Sequence, residues 1–309
     1  MLIKGRTIGK KEIIGFVTKL SIYFLLICIS YVYLLPILRM VSSVFMSEQD
    51  IIDPSVEWLP KFPSLRNVVV SAHVLDIPKT LLNSIWFSGL LAVCQTAVSA
   101  LTGFSFARFN FRFKKMWFVV LVGAFIMPVP ILVVSRLMIF TVAQDMTGIK
   151  LVGTLIPQVA MAALGQGVNA TVLVLIFYNF FRMIPYSLDE SAMIDGATTG
   201  QVFYHIILKL SLTTILVVFL FSFVWNWNET YQTGTFLRSG ISLLPLRLAV
   251  FDSIFGDLAS GATPGGFSRL NEAYKLTATF ISILPMLILY MFVQKQFIVG
   301  IENAGITGE

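Results

Sequence analysis

Long apolar stretches separated by shorter polar ones make up most of the chain. A helix needs about 20 apolar residues to cross the hydrocarbon core of a bilayer, and by that length the pattern predicts about six crossings. We place them near residues 15–42, 82–106, 116–140, 155–182, 206–228 and 274–296. The pattern therefore predicts an all-α polytopic membrane protein.

The predicted spans leave only short segments at the two ends of the chain. Residues 1–14 form an N-terminal segment, residues 15–299 the transmembrane domain and residues 300–309 a C-terminal tail. The first apolar stretch is longer than the core of a cleavable signal peptide, so we expect it to remain as an anchor. We expect bends at the prolines inside the spans, which are Pro36, Pro128, Pro130, Pro157 and Pro285.

Composition supports the membrane class. Hydrophobic residues make up 57% of the chain, and the mean hydropathy is +0.85, well outside the range of soluble globular proteins. The formal net charge of +6 does not indicate nucleic-acid binding, because Lys and Arg lie beside apolar runs and form no continuous basic face. Cys28 and Cys94 fall inside predicted spans, so we expect packing residues and neither a disulfide framework nor a Cys/His metal site.

The distribution of Lys and Arg predicts the orientation in the membrane. Four basic residues lie within the first eleven positions, and the turn "RFNFRFKK" carries Arg108, Arg112, Lys114 and Lys115. Residues 46–80 hold more acidic than basic side chains. We therefore expect both termini and the basic turn in the cytoplasm, and residues 46–80 on the outer face.

One polar stretch, "LDESAMIDGATTG" at residues 188–200, interrupts the apolar pattern between the fourth and fifth predicted spans. Pro185 blocks continuation of the fourth span. Ser187 with Glu190 matches a capping box, which predicts a helix start. Gly196 suits a left-handed residue at the end of that helix. This stretch is predicted to form a short cytoplasmic helix.

A second capping box, Thr198 with Gln201, predicts that a new helix starts directly afterwards. Apolar residues from Val202 to Leu210 recur at helical spacing and are expected to run straight into the fifth crossing. The product is helix, turn, helix. By its capping chemistry alone, the stretch is equally compatible with a solvated connection.

The wider stretch "PYSLDESAMIDGATTGQVFYHIIL" closely resembles the EAA loop of ABC importer permeases. That loop has the form E-A-A-x-x-D-G-A, a few residues, then F-x-x-I-x-L-P. The matching residues are Glu190, Ala192, Asp195, Gly196, Ala197, Phe203, Ile206 and Leu208. Ser191 replaces the first alanine, and Lys209 stands where the family usually has proline. We delimit the loop at residues 185–210.

Further matches in the same order resemble the maltose-type branch, which imports carbohydrates. They are "LLNSIWFSGLLAV", "SFARFNFRFKK", "WNWNETY" and "QKQFIVG". The resemblance implies a permease subunit in a prokaryotic inner membrane. It also implies the partners: a homologous sister permease, two ATP-binding cassette ATPase subunits, an external solute-binding protein and membrane lipid.

The resemblance assigns the energy source to those partners. The chain contains no G-x-x-x-x-G-K-[ST] loop for ATP phosphates, so ATP and Mg²⁺ are expected in the ATPases and no cofactor in this chain. In the EAA loop, Glu190 is the expected charged contact, and small residues allow close approach, whereas Asp195 could cap the turn or touch the ATPase. The expected ATPase-coupling residues are Glu190, Ser191, Ala192, Asp195, Gly196 and Ala197.

Polar residues within spans are costly and often mark a transport pathway. The substrate-pathway candidates are Arg136, Asn169, Asn179, Asn226, Asn228 and Glu229. Hydrogen bonding between helices is an alternative for each of them. The outer segment 230–273 corresponds in position to a family loop that reaches the binding protein, although its glycines, Gly261 among them, equally fit a linker.

Two alternative functions are compatible with the same sequence features. The cargo could be a solute other than a simple sugar, such as a glycerophosphodiester or a peptide, or the chain could act alone as an ion-coupled carrier. We detect no internal repeat of the kind that favours such carriers. An enzyme is not expected, because His73 and His205 lie in different predicted compartments, so we assign neither catalytic residues nor a metal site.

Overall fold

The chain is almost entirely helical in the computed structural model. The backbone is described for residues 2–3, 6–7, 10–238, 240–258 and 264–303. Side chains are described within residues 15–238, 240–256 and 270–295. Gly261, expected in a loop toward the binding protein, and residues 304–309 of the expected tail lie outside the described residues.

Helices follow one another along these ranges. The first eight are α1 (Lys10–Phe45), α2 (Glu48–Ile52), α3 (Arg66–Leu75), α4 (Ile77–Arg108), α5 (Lys114–Ile126), α6 (Val129–Thr147), α7 (Ile156–Ala163) and α8 (Ala170–Met183). They are followed by α9 (Tyr186–Ile194), α10 (Thr199–Val202), α11 (Leu208–Leu210), α12 (Leu212–Asn228), α13 (Tyr231–Leu237), α14 (Leu244–Ala249), α15 (Phe251–Leu258) and α16 (Pro264–Asn303). A π-helical turn, Phe203–Ile207, lies between α10 and α11. Two short antiparallel strands, β1 (Leu2–Ile3) and β2 (Arg6–Thr7), precede α1.

The described residues include four helices that are long and apolar enough to cross a membrane: Gly15–Phe45 of α1, all of α4, all of α6, and Leu270–Lys295 of α16. Two bent pairs meet the same requirement, namely α8 with α9 and Thr199–Leu210 with α12, which bend by 70° and 79°. Counting each pair as one span gives up to six crossings. The chain is an all-α polytopic membrane protein, as predicted.

Two predicted crossings are divided into separate helices. The run 116–140 contains α5 and the start of α6, and the run 155–182 contains α7 and most of α8. Pro128 occupies the N-cap of α6, while Pro130 and Pro157 lie in the first turns of α6 and α7. The prediction that these three prolines bend continuous spans is wrong, because proline lacks an N–H and its fixed φ suits a helix start. The other two prolines lie inside α1 and α16.

The chain divides into two compact units, Met1–Val74 with Phe251–Ile281 and Leu75–Val250 with Ser282–Glu309. In the first unit, the Asp50 carboxylate organises the segment after α1. It accepts hydrogen bonds from the Ser47 backbone (3.2 Å) and hydroxyl (2.8 Å), and from the backbones of Lys61 and Phe62 (both 3.2 Å). The carboxylate therefore holds the start of α2 against the returning loop.

The second unit is built around α4, which packs against α8 and α12. Gly103 allows α4 to approach α8 closely, because a Cβ at that position would lie 2.7 Å from the Cβ of Phe177. Aromatic rings extend this core: Phe104 of α4 lies 6.0 Å from the Phe181 ring of α8 and 4.6 Å from the Phe203 ring of the π-helical turn. The segment after α9 is thus anchored to the helical core.

Candidate functional site

The short helix α9 overlaps the polar stretch at residues 188–200. It begins at Tyr186, and Pro185 occupies its N-cap in an extended conformation, with φ −58° and ψ 134°. The predicted capping box between Ser187 and Glu190 is wrong, because the helix starts earlier and Ser187 lies inside its first turn. Pro185 does separate α8 from α9, as expected from its missing N–H.

The end of α9 follows the prediction closely. Asp195 is the C-cap, and Gly196 has φ +87°. The backbone N–H of Ala197 donates to the carbonyl of Ala192 (2.9 Å), and that of Gly196 donates to the carbonyl of Met193 (3.1 Å). These two bonds form a Schellman motif, which satisfies carbonyls at the helix end and requires the left-handed residue.

The predicted second capping box is confirmed. The backbone N–H of Thr198 donates to Gln201 Oε1 (2.8 Å), and the Gln201 backbone donates to the Thr198 hydroxyl (3.4 Å). The helix that starts here does not run straight into the fifth span: the chain bends by 79° at Ser211. The Ser211 hydroxyl donates to the carbonyl of Ile207, and a serine bonded back to its own helix favours a bend.

A cluster that we call the α4–α9 clasp fixes α9 to the end of α4. Arg108 Nε lies 3.2 Å from Asp189 Oδ2, and these side chains are only 4% and 11% exposed. Arg108 Nη2 donates to the carbonyl of Ile184 (3.0 Å), and the guanidinium stacks 4.3 Å from the centre of the Tyr186 ring. The Tyr186 hydroxyl donates to the Ala107 carbonyl (2.9 Å). A single arginine thus contacts the start, the body and the approach of α9.

Burial raises the pKa of the Asp189 carboxyl, while the nearby charge of Arg108 opposes that shift and Glu190 adds to it. Desolvation is the largest of these effects. A buried ion pair of this kind contributes little net stability, since desolvation of both charges offsets their attraction. The clasp therefore determines where α9 lies more than how stable the fold is.

The expected ATPase-coupling residues are divided between the two faces of the loop. Glu190, Ser191, Asp195 and Gly196 are exposed. Ala192 and Ala197 are half-buried and pack against the hydrophobic core, so their small size also serves internal packing. Apolar side chains share the exposed face, among them Met193 (47%) and Ile194 (86%). The loop presents an acidic and apolar surface outside its packed side.

A cavity of about 300 Å³ lies elsewhere in the second unit. Its lining comes from the α5–α6 break, the α7–α8 connection and the corner between α12 and α13. Three of the six substrate-pathway candidates, Arg136, Asn169 and Glu229, line it. The fold thus brings together residues that are far apart in the sequence.

Hydrogen-bonded amide side chains extend from Arg136 in the cavity wall. Arg136 Nη1 donates to Gln232 Oε1 (3.3 Å), and Nη2 donates to Gln166 Oε1 (3.0 Å). Gln232 Nε2 donates in turn to Gln158 Oε1 (3.2 Å). These glutamines were not among the sequence candidates, although they give the same signal as the asparagines, a polar residue in an apolar stretch.

The other three candidates lie away from the cavity. Asn226 is buried, and its Nδ2 donates to Gln95 Oε1 on α4 (2.7 Å), so it joins two helices. Asn228 is exposed and donates to the carbonyl of Val224 in its own helix (3.0 Å). Asn179 is exposed on α8. Gln95, whose Oε1 also accepts from the Ser222 hydroxyl, was not a sequence candidate.

The described residues contain no group of three or more His, Cys, Asp or Glu side chains that could hold a metal ion. His205 Nδ1 lies 3.2 Å from the Gln201 carbonyl within its own helical turn. The exposed face of α9 presents acidic and apolar side chains, and the cavity lining includes charged and amide side chains.

The structure is that of a polytopic helical membrane protein in which the short exposed helix α9 follows a 70° bend after α8. The chain belongs to the family of binding-protein-dependent transport system inner membrane components, whose sequence profile matches residues 96–302. It is a multi-pass membrane protein and a permease subunit, and the members of this family are not themselves enzymes. Such a subunit works with an ATPase and a solute-binding protein.

Known proteins agree with this assignment. The chain is 25% identical, over 88% of its length and 91% of the relative, to the diacetylchitobiose uptake system permease protein DasC of Streptomyces coelicolor. It is 27% identical, over 93% of its length and 97% of the relative, to the polygalacturonan/rhamnogalacturonan transport system permease protein YtcP of Bacillus subtilis. In fold it resembles a bacterial ABC transporter involved in the import of the acidic polysaccharide alginate, with TM-score 0.70, 17% identity and coverage of 94% of this chain and 99% of that one.

Proposed function

We propose that the chain is the permease subunit of a sugar or oligosaccharide importer and that α9 receives the movement of the ATPases. The observation that carries this proposal is an exposed acidic and apolar helix joined to α4 by the buried Arg108–Asp189 pair. A rigid helix that is exposed on one side and clasped on the other transmits displacement to the spans it joins. ATP and Mg²⁺ would bind in the partner ATPases.

The orientation follows from charge. Basic residues are dense before α1 and between α4 and α5, and cytoplasmic loops carry such an excess of Lys and Arg. We therefore assign both termini and α9 to the cytoplasm. A homologous sister permease and two ATPase subunits complete the complex, and the solute-binding protein approaches from the opposite side.

The coupling mechanism uses the two ends of α9 differently. The clasp ties its beginning to α4, and the segment from Thr198 to Leu210 leads from its end into α12. Movement of an ATPase against the exposed face would therefore displace α4 and α12 together, because both are attached to the same short helix. Rigid-body rocking of packed helices is an established way to alternate access between two sides of a membrane.

Cargo is inferred from the named relatives. DasC is named for the uptake of diacetylchitobiose and YtcP for the transport of polygalacturonan and rhamnogalacturonan, and the similarity to both covers most of this chain. We therefore assign a saccharide cargo.

Copurification tests the docking surface. The tagged chain is expressed with its partner subunits, and the ATPase recovered per chain is measured. Glu190→Lys is expected to reduce recovery at least about tenfold, because it reverses an exposed charge at the contact. Glu57→Lys is the matched control, since it makes the same reversal at an exposed residue between α2 and α3.

Glu57→Lys is expected to leave ATPase recovery at the wild-type level. Full ATPase recovery and full uptake with Glu190→Lys would contradict the docking assignment. Uptake by the chain without any ATPase would instead identify a carrier that works alone.

A further inference from the structure

The cavity beside α6 contains two charged side chains in different bonding states. Glu229 has both carboxylate oxygens engaged: Oε1 accepts from the Gln232 backbone (2.7 Å), and Oε2 accepts from the Thr233 backbone (2.7 Å) and hydroxyl (2.8 Å). The Glu229 carboxylate therefore stabilises the start of α13.

Arg136 is not neutralised in this way. Its two hydrogen bonds go to the uncharged amide oxygens of Gln166 and Gln232. Among the residues that the structure describes, no carboxylate oxygen lies within 4.0 Å of its guanidinium. A guanidinium carries five N–H donors, so donors remain for a further partner.

A charged side chain without a counter-ion is energetically costly at the position of Arg136. It lies in the middle of α6, one of the four helices that are long and apolar enough to cross a membrane by themselves. Charged side chains inside such helices are rare and face interior cavities or transport pathways. Arg136 follows this rule, because it lines the 300 Å³ cavity.

The surrounding amides hold the guanidinium in place. Gln232 is only 4% exposed and is fixed by its bond to Gln158. Gln158 donates to the Thr233 hydroxyl (3.4 Å), which donates to Glu229. The planar fork of Arg136 is therefore oriented before any solute arrives, and bidentate recognition of an oxyanion needs that orientation.

We propose that Arg136 recognises an oxyanion carried by the imported saccharide, either the carboxylate of a uronate or a phosphate ester. The inference rests on the proposed importer function and narrows its cargo to acidic sugars. The cavity has room for one sugar unit or a similar group, because small-molecule sites start at about 300 Å³. The Gln166 amide nitrogen and the Asn169 side chain belong to residues that line the same cavity and have no hydrogen bond among the described residues, so they can bind sugar hydroxyls.

The test uses the complete importer reconstituted in liposomes with its binding protein and ATPases. Import is measured for digalacturonate, galactose 6-phosphate and the neutral disaccharide galactobiose. The inference expects import of at least one acidic probe, and which of the two is imported identifies the oxyanion. Arg136→Gln is expected to lower that import at least about tenfold, since it removes a charge-assisted hydrogen-bonding partner.

Two further variants separate recognition from folding. Arg136→Lys keeps the charge without the fork and is expected to lose less import than Arg136→Gln. Lys150→Gln, at an exposed position, makes the same chemical change outside the cavity and is expected to leave import unchanged. The inference is overturned if Arg136→Gln lowers acidic and neutral import equally or lowers neither, or if the wild-type importer takes up and binds neither acidic probe.

Failure of the proposed function has a different signature. If the chain does not copurify with an ATPase, the importer assignment itself fails. If the complex assembles and hydrolyses ATP but does not discriminate by solute charge, only the cargo inference fails.

Discussion

Two arginines of the second compact unit, Arg108 and the half-buried Arg136, illustrate opposite uses of a positive charge. At the α4–α9 clasp, Arg108 is 4% exposed and lies 3.2 Å from Asp189. In the cavity, Arg136 contacts two amide oxygens and no carboxylate among the described residues. A cation with a protein counter-ion positions structure, whereas a cation held only by neutral amides is available to a ligand. If both proposals hold, the comparison distinguishes the region that transmits movement from the ATPases from the region that recognises the cargo.

The largest expected effect is at the clasp. Arg108→Met leaves Asp189 buried without its partner and removes the contacts with Ile184 and Tyr186. Breaking a buried pair from one side costs about 3–5 kcal/mol, and we expect a loss of unfolding free energy of that order at pH 7. Denaturant unfolding of the purified complex measures it.

The pH dependence sharpens this prediction. Burial raises the pKa of Asp189 in the folded protein above its ordinary value in the unfolded chain. Folding therefore favours the protonated carboxyl. This contribution to the free energy of unfolding is fully present below the ordinary pKa and is lost as pH rises through the pKa of the folded protein. Asp189→Asn leaves Arg108 bonded to the Ile184 carbonyl and stacked on the Tyr186 ring, so it is expected to cost less than Arg108→Met at pH 7. The penalty for Arg108→Met should also shrink as the pH is lowered, because Asp189 then takes up a proton. A larger loss with Asp189→Asn than with Arg108→Met would contradict this account of the clasp.

The next effect is at the end of α9. Gly196 has φ +87°, and a Cβ there would meet no heavy atom within 4 Å, so a substitution is strained without being crowded. Gly196→Val is expected to cost about 1–2 kcal/mol from the left-handed conformation alone. Gly196→Asn is the matched variant, because asparagine tolerates this conformation better. Equal unfolding midpoints for the two variants would show that the turn is not held in this geometry.

A smaller effect is expected in the cavity. Gln232→Ala removes the amide that orients Arg136, and the loss of one such hydrogen bond costs about 1 kcal/mol. Preference for acidic over neutral probes should fall about fivefold, while ATPase recovery stays at the wild-type level. Gln294→Ala, at an exposed glutamine of α16, should change neither. Loss of ATPase recovery with Gln232→Ala would show that the two regions are not separable.

The smallest effect is expected at the second capping box. Thr198→Ala removes the hydroxyl that accepts from the Gln201 backbone. Loss of an N-cap side chain costs about 0.5–2 kcal/mol, and an exposed cap should lie near the lower end. Thr198→Ser keeps the oxygen and should retain the unfolding midpoint, whereas equal losses in both variants would exclude the cap as the cause.

Much of the fold could be predicted from local chemistry. The lengths of the apolar runs gave the membrane class, and the small residue at Gly196 and the Thr198–Gln201 box gave the turn after α9. These features depend on the covalent and hydrogen-bonding properties of a few neighbouring residues. The start of α9 was predicted wrongly because Pro185 competes with Ser187 as the cap, and the outcome depends on where α8 ends.

The sites were harder to predict because they depend on residues distant in the sequence. Asp189 and Arg108 are both visible as charges, but only the packing of α4 against α8 brings them within 3.2 Å. Arg136 was chosen because a charge is unusual in an apolar stretch, but the sequence did not show that no carboxylate pairs with it among the described residues, where Glu229 is instead bonded to the start of α13. Asn226 and Arg136 gave the same sequence signal, yet one joins two helices and the other lines a cavity.

Accessibility labelling of α9 tests the central claim most directly. Ile194→Cys places a thiol at a site that is 86% exposed, with Cys28 and Cys94 replaced by alanine and Glu57→Cys serving as the control for the opposite face. We predict that a membrane-impermeant maleimide labels residue 194 only from the cytoplasmic side and that bound ATPase protects it. Labelling from the outer side, or equal labelling with and without the ATPase, would contradict the claim that α9 is the coupling surface.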